Sequence, residues 1–72
     1  MTIEFRDREW KYIKSWPNME YAWHGIPLQG DHVVLHWGDN GEDSEEYAVV
    51  SRVFDGMRPD VVTLIIEKTV SV

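Results

Sequence analysis

The chain has 72 residues, a net charge of −6 and no cysteine. Its length fits one domain, residues 1–72, with a thin core, because a chain this short buries only about 60% of its unfolded surface. The acidity argues against a phosphate-binding or anionic-membrane surface, which needs clustered Lys and Arg, and the lack of cysteine excludes disulfides and thiolate metal sites.

No apolar run approaches transmembrane length, and the N-terminus lacks the apolar core of a signal peptide. The expectation is a cytoplasmic protein with no nucleic-acid or membrane partner. Small scaffolds need a staple, and self-association into a homodimer or higher oligomer is the most available one. The four tryptophans are the other resource, since each can bury roughly 150–250 Å².

Thr2 to Arg6 alternates apolar and polar residues and reads as a short strand. Residues 7–16 support two readings. As a short N-terminal helix, Asp7 is the N-cap, Trp10 and Ile13 share a face, and Pro17 ends it. As a strand, Trp10, Tyr12 and Trp16 alternate with Lys11, Ile13 and Ser15, and the aromatic content favours this reading. Pro17-Asn18 marks a turn. Tyr21 and Trp23 then alternate with Glu20, Ala22 and His24 in a weak strand closed by Gly25.

Ile26 to Trp37 is the stretch the rest is organised around. Pro27 biases Ile26 toward an extended backbone, and Gly30-Asp31 supplies turn chemistry before a β-branched run. Val33, Leu35 and Trp37 share one face, and His32, Val34 and His36 the other. Residues 38–45 read as a polar loop, with Asn40-Gly41 suited to positive φ. Tyr47 to Phe54 is a long strand with two partly apolar faces, hence central, or bulged near Ser51-Arg52. In that reading Tyr47, Val49 and Val53 share one face. After a connection at 55–60, Val61 to Lys68 is the last strong strand. Val62, Leu64 and Ile66 lie on one of its faces, and Val61, Thr63, Ile65 and Glu67 on the other. The tail Val70-Ser71-Val72 extends that strand or pairs with a neighbour. The fold class is mainly β: a small antiparallel five-stranded barrel, since closure removes exposed edges.

Pro27-Leu28-Gln29-Gly30-Asp31-His32-Val33, followed by Tyr47-Ala48-Val49-Val50-Ser51-Arg52, resembles small SH3-like barrel proteins. The resemblance spans residues 27–68 and implies a fold rather than an activity. Short acidic chains of this kind are also similar in general appearance to products of mobile gene cassettes and phages. Gly30-Asp31-His32-Val33 and Tyr47-Ala48-Val49 look like segments of the plasmid-borne dihydrofolate reductases, SH3-like barrels whose tetramer encloses one pore. The pore run of that family, Val-Gln-Ile-Tyr, compares with Val62-Thr63-Leu64-Ile65 here. The glutamine and tyrosine that would hold cofactor and substrate are missing, so the activity does not transfer.

Candidate chemistry is sparse. His32 and His36 on a strand are roughly 13 Å apart, too far to share one zinc. The acidic residues Asp39, Glu42, Asp43, Glu45 and Glu46 fail the calcium-loop test, because the glycine and the closing glutamate are misplaced. No serine sits in a nucleophile motif, no phosphate loop is present, and neither a metal nor a cofactor is expected. The aromatic set Trp10, Tyr12, Trp16, Tyr21 and Trp23 is the most informative feature. It is either core packing or an exposed platform for a proline-rich, basic or methylated ligand. Asp39, Glu42 and Asp43 would then attract a basic peptide, and Val61 and Ile65 would form an apolar self-association surface. The leading expectation is a non-enzymatic module for protein or peptide binding and self-association. A small oligomeric enzyme with a site on a symmetry axis is the second, and an acidic nucleic-acid mimic acting as an inhibitor is the third.

Overall fold

The structure, a computed structural model, describes residues 1–17 and 25–69. It holds five strands: β1 (Thr2–Arg6), β2 (Tyr12–Trp16), β3 (His32–Trp37), β4 (Asp43–Phe54) and β5 (Val61–Lys68). They form one sheet in the order β2-β1-β5-β4-β3. The sheet curls into a half-barrel consistent with a small SH3-like barrel, and the described residues contain no α-helix. No helix among them is long and apolar enough to cross a membrane. The weak strand expected at Tyr21–Trp23 and the tail Val70–Val72 fall outside the described residues.

The helix-or-strand ambiguity at 7–16 resolves into a turn followed by a strand. Asp7 N–H donates to the Lys11 carbonyl (3.0 Å), and Trp10 N–H donates to the Asp7 carbonyl (3.0 Å). The Asp7 Oδ1 accepts from the backbone N–H groups of Glu9 and Lys11, both at 2.9 Å. Asp7 therefore folds the backbone into a hairpin instead of capping a helix.

Two bulges redistribute side chains between the faces. Opposite β1, Lys14 pairs with Phe5 but Tyr12 pairs with Arg6, so Ile13 is the extra residue. Strict alternation would place Tyr12 and Trp16 together, yet the bulge turns Tyr12 outward and Trp16 inward. On β4, Val49 pairs with Ile66 and Ser51 with Ile65, leaving Val50 extra. The expected bulge near Ser51 is thus one residue earlier. Tyr47 and Val49 face the core, whereas Val53 pairs with Thr63 on the outer face, a correction to the shared face expected for these three residues.

The inner face is the core. Ile3 and Phe5 of β1 have no exposure, and neither do Leu35 of β3 or Leu64 and Ile66 of β5. Burial of each such side chain contributes about 1.5–3 kcal/mol. Trp16 packs edge-on against Phe5 with centroids 4.7 Å apart. The turn expected at Gly30-Asp31 is present, with Gly30 at φ +95°, and Ile26 is buried in the core. Gly30 N–H donates to Val49 O (3.0 Å), and Val49 N–H donates to Asp31 O (2.8 Å).

Three features depart from the expected architecture. β1 and β5 pair in parallel, so the sheet is not wholly antiparallel. This parallel pair needs a long connection, which β2, β3 and β4 supply. β4 begins at Asp43, inside the stretch read as loop, because the ladder to β3 runs as far as Trp37↔Asp43. Cross-strand pairing there overrides the low strand propensity of acidic residues. Finally, β2 and β3 are sheet edges. Lys14 reaches between them, donating to His36 O (2.7 Å) with its ammonium 5.4 Å from the Trp37 ring. An inward lysine on an edge strand protects it from further pairing.

Candidate functional site

The outer face of β1 and β5 carries a polar group as deeply buried as the core. Glu4 is 7% exposed and Thr63 is 4% exposed. Glu4 Oε1 accepts hydrogen bonds from Arg6 Nε and, at 3.4 Å, from the Thr63 hydroxyl. Arg58 Nη2 donates to Oε2 at 3.1 Å, and Nη1 to Oε1 at 3.5 Å. Burial pushes the Glu4 carboxyl up, but the hydrogen bonds and charges of Arg58 and Arg6 outweigh it, and the group ends below its ordinary value of 4.5. Glu4 thereby ties two separate segments together: the β1–β2 hairpin through Arg6, and the β4–β5 connection through Arg58.

Beside this cluster lies a pocket of about 370 Å³. Trp10, Val53, Val61, Thr63 and Arg58 line it, together with the end of β4 and the following turn at Phe54, Asp55 and Gly56. Its volume falls in the range of roughly 300–1,000 Å³ that ligand pockets occupy. Trp10 is 48% exposed and Phe54 55% exposed. Arg6 lies over the Trp10 ring at 5.0 Å from its centroid, and Arg52 over the Phe54 ring at 5.3 Å.

Trp10 also has an unusual backbone, with φ +70°. Its position follows two turn residues in a short hairpin, where glycine is the usual occupant. A bulky residue there costs on the order of 1–3 kcal/mol. The surroundings hold it: Arg6 Nη1 donates to the Trp10 carbonyl (2.7 Å) while its guanidinium covers the ring.

The expected site residues separate. Trp10 lines the pocket, and Tyr12 is exposed beside it, with Arg6 at 6.0 Å from its ring. Trp16 belongs to the inner face and packs against the core. Tyr21 and Trp23 lie outside the described residues. Val61 lines the pocket, whereas Ile65 is 9% exposed and buried within the chain itself.

Asp39, Glu42 and Asp43 sit in the β3–β4 hairpin, at the opposite end of β4 from Phe54. Glu42 Oε2 accepts from Asn40 N–H (3.0 Å) and fills the space beside Gly38, which has φ +92°. Nearby, Glu45 pairs with Lys68 (3.1 Å) and Glu46 with His32 (3.0 Å). Much of the acidic charge thus serves the hairpin's own geometry. Among the described residues no group of three or more His, Cys, Asp or Glu is placed to hold a metal ion.

The pocket residues Val53, Phe54 and Arg58 had no motif to announce them. The signal for Val53 was the doubly apolar β4. The signal for Trp10 was a tryptophan placed where Asp7 closes a turn.

The fold and the pocket together define a small all-β half-barrel with a depression beside Trp10 on its outer face. The chain matches no family model, no curated protein and no solved structure.

Proposed function

We propose that the protein is a non-enzymatic interaction module that binds a peptide segment of a partner protein in the outer-face pocket. The observation that supports this most strongly is Trp10. A half-exposed tryptophan is held in a costly backbone conformation, and it lines a preformed pocket. Strain of this kind persists where surrounding structure enforces it and is a pointer to function. Tryptophan is also prominent among the residues that carry binding energy at protein interfaces. Self-association belongs to the same reading: β3 is a sheet edge with Val34 46% exposed.

Selection from a random peptide display library, followed by titration of the selected peptides, tests the binding role. The selected peptides are expected to lose at least tenfold in affinity on Trp10→Gly, with thermal unfolding no lower than that of the parent. Failure to select any peptide, or affinity indifferent to Trp10, removes the reading. Light scattering over a concentration series tests self-association: a mass above one chain is expected, and a monomer throughout contradicts it.

A further inference from the structure

We infer that two copies of this chain pair through β3: the two strands run antiparallel about a two-fold axis at Val34, and the two sheets join into one. This rests on the self-association reading and is independent of the pocket beside Trp10.

The ladder to β4 fixes which backbone groups of β3 are available. Val49 N–H donates to Asp31 O, in line with the register His32↔Ala48 and Val33↔Tyr47. In an antiparallel ladder successive residues turn their backbone groups to opposite sides. Asp31, Val33, Leu35 and Trp37 therefore bond toward β4, and His32, Val34 and His36 turn their N–H and C=O groups to the free edge. The Lys14 ammonium agrees with this assignment, since it reaches the His36 carbonyl from outside the ladder (2.7 Å). Lys14 pairs with Phe5 and so approaches from the inner side. Among the described residues no other hydrogen bond reaches this edge.

An edge with this spacing is complementary to itself. With Val34 on the axis, its N–H and C=O meet their own equivalents, and His32 lies opposite His36 of the second copy. Only the His36 carbonyl is already engaged, by Lys14. The side chains suit the same arrangement. Val34 is 46% exposed and packs on its equivalent. The exposed face His32, Val34 and His36 carries no carboxylate, and Glu46 beside it is held by His32 at 3.0 Å. Charge selects the direction of pairing. The acidic hairpin with Asp39, Glu42 and Asp43 follows β3 directly. Antiparallel pairing sets the two hairpins at opposite ends of the joint, whereas parallel pairing would set them side by side, like charge against like charge. A two-fold joint also closes at two copies, which removes the exposed edge without building a filament.

Light scattering and oxidative cross-linking test this. The Val34 N–H faces outward, so Val34→Pro removes no bond to β4, and circular dichroism checks that the variant folds. The parent is expected to reach the mass of two chains in the concentration series, and the proline variant to stay at one. The chain has no cysteine, so Val34→Cys introduces a sole thiol. Its equivalent across the axis would lie at about 5.5 Å between Cα atoms, within disulfide reach. It is expected to cross-link at least tenfold faster than Ser44→Cys, one strand away on the same face. Where Val34→Pro fails to fold, the cross-linking rates decide alone. A folded proline variant with the parent's mass overturns the inference but leaves self-association standing. So does a parent mass above two chains, or equal rates for the two cysteines. A parent that stays monomeric at every concentration overturns the inference and self-association together, and leaves peptide binding beside Trp10 untouched.

Discussion

The two faces of β1 and β5 are buried to a similar depth but by different means. On the inner face Ile3, Phe5 and Leu64 are packed among other hydrocarbon groups and have no exposure. On the outer face Glu4 and Thr63 are nearly as hidden, under arginines from a hairpin and a loop. Apolar burial is nondirectional and holds the sheet. The charged cluster is directional and fixes where Trp10 and Arg58 stand. One face therefore makes the fold, and the other makes a shaped surface on it.

Substitutions should separate these roles. Phe5→Ala removes the ring that Trp16 packs against and should cost about 3–5 kcal/mol, enough to unfold so small a domain. Urea denaturation checks it, and a loss near 1 kcal/mol or less would place the core elsewhere. Glu4→Gln should cost less, about 2 kcal/mol, because hydrogen bonds to a charged acceptor weaken while the volume is kept.

Glu4 also sets a pH dependence. Its carboxyl is lowered in the folded chain, so its contribution is fully present above its unfolded value and is lost as pH falls through the folded one. Stability should fall on acidification below the ordinary glutamate value of 4.5, and Glu4→Gln should flatten that slope. An unchanged slope would mean that other carboxylates dominate. The smallest effect is expected at the acidic hairpin. Glu46→Gln breaks an exposed pair with His32 and should change stability by no more than about 0.5 kcal/mol, with no effect on peptide binding. A large loss of binding there would return the acidic end of β4 to the site.

The strands were readable where period-two alternation was uninterrupted. Val33, Leu35 and Trp37 face inward as their spacing indicates, and Val62, Leu64 and Ile66 do likewise. Alternation fails at a bulge, because one extra residue inverts every side chain beyond it. Ile13 and Val50 are those residues. They explain why Trp16 went to the core while Tyr12 and Val53 went to the outer face. The parallel β1–β5 pairing joins the two ends of the described chain, and no local pattern encodes such a long-range contact. The Glu4–Arg58 pair is hidden for the same reason, since its partners are 54 positions apart. Trp10 stood out as an aromatic, but its role in lining the pocket depends on a φ that composition does not reveal.

Trp10 is kept for its surface at some cost to the fold. Trp10→Gly tests this most directly, with urea denaturation and titration of a selected peptide on the same preparation. Glycine relieves the left-handed backbone and loses the contact with Arg6, worth roughly 0.5–1 kcal/mol. The expected result is a stability equal to or above that of the parent, with affinity at least tenfold weaker. A variant that is clearly less stable yet binds as tightly as the parent would contradict the account, making Trp10 a structural residue and moving the binding surface elsewhere.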